Sequence, residues 1–115
     1  MRSLLLISVA VIGLSGCSHG LYDWGGYNSH LYSYYENPDA AEAFREALER
    51  HIGYLESAGR IPPPGLYAEL GTLYLEKGDT AQAIIFYDKE RQAWPESRPL
   101  MSSLIASLSK TTAQE

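Results

Sequence analysis

The chain is poor in cysteine: Cys17 is the only one among 115 residues. A single cysteine cannot form an intramolecular disulfide, and no CxxC or HxxxH spacing surrounds the three histidines. The sequence therefore predicts no disulfide framework, no metal site and no noncovalent cofactor.

Positive charge is also scarce. Nine Lys and Arg residues against 14 Asp and Glu residues give a formal net charge of −5 at pH 7. Binding to a phosphate backbone requires clustered Lys and Arg side chains. Nucleic acid is therefore excluded as the expected partner.

Catalytic motifs are absent from the sequence. It contains no GxSxG, no phosphate-binding glycine loop and no HExxH. His51 falls on the apolar side of a predicted helix, where a structural role is expected. The acidic residues around it alternate with arginines in a pattern typical of solvated i,i+4 pairs: Glu42, Glu46, Glu49 and Glu56 with Arg45 and Arg50. These features predict a protein that is not an enzyme.

A long apolar run occurs only at the start of the chain. Arg2 precedes the apolar residues 4–14, and the small residues Ser15 and Gly16 precede Cys17. The run fits a secretory signal and is too short to span a bilayer. We predict a signal peptide over residues 1–16; the alternative is a buried N-terminal helix in which Cys17 is an inert core residue.

The LSGC sequence at 14–17 resembles the lipobox of bacterial lipoproteins. This resemblance implies cleavage after Gly16, covalent diacylglycerol on the Cys17 thiol and an N-acyl chain on the new amino terminus. Anchoring by three chains is effectively permanent, since each buried methylene contributes ~0.8 kcal/mol. Ser18 resembles the pattern exported to the outer membrane, so we expect a periplasm-facing protein attached there through a linker over residues 17–26.

The remaining chain shows helical periodicity and no strand-like alternation. The predicted helices cover residues 27–35, 40–58, 64–77, 79–94 and 97–110. Asn37 and Pro38 are predicted to start the second helix, and Asp79 with Gln82 to form a capping box. The expected fold class is all-α, with one domain over 27–110 and a frayed tail over 111–115.

Residues 64–97 resemble one tetratricopeptide repeat. The positions that carry this resemblance are Tyr67, Leu70, Gly71, Tyr74, Gly78, Ala83, Tyr87 and Pro95. Gly71 and Ala83 would let two helices approach closely, whereas Glu90 departs from the alanine that the motif prefers. The resemblance implies helical hairpins, a degenerate repeat upstream and a capping helix over residues 100–108.

Stacked repeats of this kind would form a concave groove. The residues predicted to bind a partner there are Asn28, Tyr32, Tyr35, Ala68, Thr72, Leu75 and Glu76. For Tyr32 and Tyr35 an alternative stays open, in which both rings pack under the N-terminal loop with Trp24.

The combination of LSGC, YDWGGYNSHLYSYY, PPPGLYAELG and DKERQAWPES resembles a family of short bacterial lipoproteins of unassigned function. Genes of that family tend to lie beside those of a curli-secretion-type lipoprotein and a second small lipoprotein. The resemblance implies an adaptor or assembly factor that binds an envelope protein, with the curli-secretion-type lipoprotein as a candidate. The alternatives are a regulator of a cell-wall synthase and, less directly, an enzyme or lipid carrier.

Overall fold

A computed structural model describes residues 22–26, 37 and 40–114 of the chain. These residues form four α-helices and no β-strand, which confirms the all-α prediction for this part of the chain. The helices are α1 (Ala41–Ser57), α2 (Leu66–Glu76), α3 (Thr80–Ala93) and α4 (Arg98–Ala113), with a 3-10 turn at Pro95–Ser97. No helix formed by the described residues is long and apolar enough to cross a membrane. The predicted signal peptide, Cys17 and the predicted helix over 27–35 lie outside them.

Helix α1 has the predicted apolar stripe. Phe44, Leu48, Ile52 and Leu55 are each at most 5% exposed. The N-cap position is Ala40, which makes no side-chain hydrogen bond. The Asn37 carbonyl accepts the Ala40 N–H at 2.9 Å just before the helix, and Pro38 lies outside the described residues, so the Asn37–Pro38 start stays a prediction.

Glycines in the left-handed region end α1 and begin α2. Gly59 has φ 69°, and next to it the Arg60 N–H donates to the Leu55 carbonyl at 2.9 Å. Gly65 has φ 89°, a value that no helical residue adopts. Helix α2 therefore begins at Leu66 and not at the predicted Pro64.

The connection from α2 to α3 is short. Gly78 has φ 90° and Asp79 caps α3, since its Oδ1 accepts the Gln82 N–H at 3.1 Å. The predicted capping box is only half formed, because the Asp79 N–H donates to the Tyr74 carbonyl at 2.9 Å and not to the Gln82 side chain.

Helix α4 is longer than predicted and buries a narrower face. It continues to Ala113, so residues 111–113 are helical and not a frayed tail. Leu100, predicted on the apolar face, is 61% exposed, whereas Met101 is 3% exposed. The reason is rotation: Leu100 lies about 100° around the helix from Met101, outside the stripe that packs inward.

Two apolar clusters hold the helices together. The first joins α1, α2 and α3 and contains Phe44, Leu48, Ile52, Leu66, Tyr67, Leu70, Leu73 and Phe86. The second joins α2, α3 and α4 around Ala83, Tyr87 and Met101. Helices α2 and α3 contribute to both clusters, so they form the centre of the described fold.

Candidate functional site

The seam between α2 and α3 requires a residue without a side chain. A Cβ atom on Gly71 would lie 2.9 Å from two carbon atoms of the Tyr87 ring and 3.2 Å from the Ala83 carbonyl oxygen. Ala83 is fully buried and Tyr87 is 2% exposed, so neither has space to retreat. This geometry agrees with the predicted close-packing role of Gly71 and Ala83.

The predicted groove residues of α2 share one face, and that face is partly covered. Ala68 and Leu75 pack against the second cluster, together with Leu104 and Ile105 of α4. The described structure thus gives them a packing role, and their contact with a partner stays a prediction.

The Thr72 hydroxyl is already engaged within the domain. It donates to the Ala68 carbonyl at 3.1 Å and lies 2.9 Å from the Tyr87 hydroxyl, which is therefore the donor in that second bond. Asn28, Tyr32 and Tyr35, the other side of the predicted groove, lie outside the described residues.

Glu76 is the exposed member of the predicted α2 set. It borders a pocket of about 290 Å³ that lies between the end of α2 and the start of α1. The other walls of this pocket are Ala41, Glu42, Arg45, Leu73 and Lys77. The lining therefore combines the apolar side chains of Ala41 and Leu73 with charged side chains of both signs.

Arg45 forms the buried side of that pocket. It is 9% exposed, and its Nη1 lies 2.6 Å from Glu49 Oε2 and 3.1 Å from the Tyr74 hydroxyl. Its guanidinium also lies 5.0 Å from the centre of the Tyr74 ring. The interpretation of Arg45 as a member of a solvated face is wrong, because α2 packs over it and supplies the ring of Tyr74.

This arrangement shifts the acidity of the surrounding groups. The hydrogen bond from Arg45 lowers the pKa of Glu42 to about 2. Desolvation opposes this shift, and a hydrogen bond from Lys77 adds to it. Burial, followed by the hydrogen bond to Glu49, raises the pKa of the Tyr74 hydroxyl. Glu42 therefore stays ionised across the physiological range, and the network keeps its charges.

Glu90 is buried where the repeat motif prefers alanine. Its side chain is fully inaccessible to solvent. Oε1 accepts the Gly65 N–H at 2.8 Å and the Ser97 hydroxyl at 2.9 Å, while Oε2 has no hydrogen-bond partner among the described residues. Glu90 thus links the start of α2 to the turn before α4, a connection that alanine could not make.

The N-terminal segment, residues 22–26, is docked on the domain. The His51 Nε2 donates to the Asp23 carbonyl at 3.0 Å, and the Asp23 carboxylate lies 3.3 Å from Arg60 Nη1. The Tyr22 ring meets the Trp94 ring edge-on at 5.7 Å. His51 therefore has the predicted structural role, and residues 22–26 of the predicted linker over 17–26 contact the helical domain.

A second, more open pocket of about 430 Å³ lies near this segment. Its lining includes Arg60, Ile61, Tyr67, Lys89 and Ala93. Lys89 Nζ pairs with Glu56 at 3.0 Å and lies 5.6 Å from the centre of the Tyr67 ring, so its charge is already partnered. Burial, followed by Glu56, raises the pKa of Tyr67 to about 12. The phenol is therefore protonated near neutral pH, and it donates a hydrogen bond to Glu56 Oε2 at 3.2 Å.

Residues 21–104 match a family described as a domain of unknown function, DUF4810. The chain belongs to the DUF4810 family. The family segment begins with the docked N-terminal residues, includes α1 to α3 and ends within α4. No curated protein and no solved structure matches the chain. The predicted membership in a family of unassigned function agrees with this result.

Sequence reasoning missed the Arg45 network, the Glu90 link and both pockets. Each depends on residues far apart in sequence, such as Arg45 and Tyr74, whose contact no spacing rule reveals. Only the Glu90 link left a trace in the sequence, because Glu90 stands where the repeat motif prefers alanine.

Among the described residues, no group of three or more His, Cys, Asp or Glu side chains could hold a metal ion.

Proposed function

We propose that this DUF4810 protein is a lipid-anchored adaptor that binds another envelope protein through a tetratricopeptide-like surface. The observation that carries the proposal is the α2–α3 seam. Gly71 is packed against Tyr87 and Ala83 as the repeat motif requires, with no space for a Cβ atom. Repeats of this type expose concave surfaces that bind other proteins.

The anchor is Cys17, acylated within the LSGC sequence. Cys17→Ser should block processing, so that the precursor keeps its signal peptide. The intact mass of the membrane-bound protein tests this directly, because diacylglycerol and an N-acyl chain add a large mass to the residue. An unmodified thiol at residue 17 would refute the anchor.

The partner contacts the groove side of α2 and the pocket beside its end. Glu76 is the residue we expect at the centre of this contact, because it belongs to the predicted groove and also borders the pocket of about 290 Å³. Thr72 and Leu75 contribute the apolar surface next to it. On the other side of the groove, Tyr32 and Tyr35 would supply the aromatic anchors that commonly dominate such interfaces.

A photo-crosslinking amino acid at position 76 tests the surface in cells. We expect one defined adduct with an envelope protein, and the curli-secretion-type lipoprotein is the proposed candidate. The matched control is the same amino acid at Ile85, a 48% exposed position on α3 away from the pocket. Equal adducts from positions 76 and 85 would refute a specific site at the end of α2.

A further inference from the structure

The contacts of residues 22–26 fix the place where the chain enters the domain. Asp23 is held by His51 near the end of α1 and by Arg60 in the loop that follows it. Tyr22 is held by Trp94, whose indole N–H donates to the Pro62 carbonyl at 3.1 Å. The entry point therefore lies at the end of α1 and the start of α2.

The distance from this entry point to the lipid is short. Five residue steps separate Cys17 from Tyr22, and a fully extended chain spans about 3.5 Å per residue, or about 17 Å. This step rests on the acylation of Cys17 proposed above. Any surface around Tyr22 is then within about 17 Å of the membrane.

The surface around the entry point exposes large apolar side chains. Tyr54 is 60% exposed, Ile61 is 64% exposed and Trp24 is 38% exposed. Tyr54 stacks on His51 with ring centres 6.3 Å apart, and Ile61 directly follows Arg60. Trp and Tyr combine an apolar body with a polar tip, and they concentrate where proteins meet the headgroup region of a bilayer.

Two arginines accompany these side chains. Arg60 has a side chain that is 51% exposed, and Arg50, one turn before Tyr54 on α1, has one that is 73% exposed. The contact from Arg50 to Glu46 is 3.9 Å, too long for a hydrogen bond, so its guanidinium can also meet a phosphate. We name Trp24, Arg50, Tyr54, Arg60 and Ile61 the anchor-side surface.

The opposite end of the helices carries the proposed partner pocket. Lys77, just after α2, lies 3.4 Å from Glu42 in the first turn of α1, so the two helices run in opposite directions. Helix α2 has 11 residues and is therefore about 16 Å long. The pocket beside Glu76 thus lies about one helix length from the entry point.

We propose that the anchor-side surface lies against the headgroup region of the bilayer that holds Cys17, so that the pocket beside Glu76 points away from it. The short tether limits the distance, and the docked segment fixes the orientation. Aromatic rings then occupy the interface and arginines meet lipid phosphates. The domain is held in one orientation instead of rotating freely around its anchor.

Spin labels on the processed, acylated protein test this orientation. Tyr54→Cys and Ile61→Cys label the anchor-side surface, and the Cys17 thiol is blocked by its lipid. Ile85→Cys and Ala106→Cys are matched controls, since Ile85 is 48% exposed on α3 and Ala106 is exposed on α4, two turns beyond the start of that helix. The proteins are reconstituted into vesicles of phosphatidylethanolamine and phosphatidylglycerol, and accessibility to a water-soluble nickel reagent is measured.

We expect nickel accessibility at positions 54 and 61 to be at most about half of that at positions 85 and 106, because labels in the interface are shielded from water. Intact mass of the same samples reports the state of Cys17. If Cys17 is acylated and all four labels are equally accessible, the anchor stands and the membrane-facing surface is refuted. If the Cys17 thiol is unmodified, both the anchor and the surface are refuted.

Discussion

Replacing Gly71 by alanine tests the close approach of α2 and α3. In an exposed helix, a Gly→Ala change stabilises by about 1 kcal/mol. At Gly71 the new Cβ atom would meet the Tyr87 ring at 2.9 Å and the Ala83 carbonyl oxygen at 3.2 Å. Overpacking of this kind costs about 1 to 3 kcal/mol. We therefore expect Gly71→Ala to lower the free energy of unfolding despite its better helix propensity.

The Tyr87 ring cannot move away without further cost. It is 2% exposed, and its hydroxyl bonds to Thr72 Oγ1 at 2.9 Å. Losing that bond would cost about 0.5 to 1.5 kcal/mol more. Gly71→Leu, with a larger side chain at the same place, should destabilise more strongly than Gly71→Ala.

Gly53→Ala is the matched control. Gly53 lies on the exposed side of α1, and a Cβ atom there would contact nothing within 4 Å. Urea denaturation of the two variants and the wild-type protein should show Gly53→Ala stabilised and Gly71→Ala destabilised. If both are stabilised by the same amount, the close-packed seam and the repeat-like interpretation built on it are refuted.

Three further changes probe buried and partly buried charges. Glu90→Ala restores the residue that the motif prefers, yet we expect a loss of roughly 1 to 3 kcal/mol in the free energy of unfolding, because the Gly65 N–H loses its acceptor; a more stable variant in denaturant titration would contradict this. Arg45→Met should cost a similar amount, about 1 to 3 kcal/mol, through the lost bonds to Glu49 and Tyr74; a melting temperature equal to that of the wild-type protein would show that the network contributes nothing. Burial, followed by the charge of Glu76, raises the pKa of Glu69 above 4.5 in the folded protein. The contribution of Glu69 to the free energy of unfolding is therefore fully present below pH 4.5, and it is lost as the pH rises through the folded pKa. Glu69→Gln should therefore raise the melting temperature at pH 7 and lose that advantage as the pH falls below 4.5; an advantage independent of pH would refute the assignment.

The helices were predictable because their signals are local. The stripe on α1 repeats every three or four residues, and Gly59, Gly78 and Asp79 mark ends that depend only on neighbouring residues.

The candidate site was less predictable because it depends on contacts between helices. Arg45 has the spacing of a surface residue within α1, and only the packing of Tyr74 from α2 buries it. In the same way, Thr72 was predicted to face a groove, whereas its hydroxyl bonds to Tyr87. Propensity and periodicity describe one helix at a time, so they do not predict which polar group a second helix covers.

Binding of the acylated protein to the curli-secretion-type lipoprotein, measured as a dissociation constant, tests the adaptor proposal most directly. Tyr32→Ala and Glu76→Lys alter the proposed groove, while Ile85→Lys changes an exposed position on α3. We expect the groove variants to weaken binding by about 2 kcal/mol, roughly thirtyfold, without lowering the melting temperature, and we expect an unchanged dissociation constant for Ile85→Lys. No binding by the wild-type protein, or equal binding by all variants, would contradict the proposal.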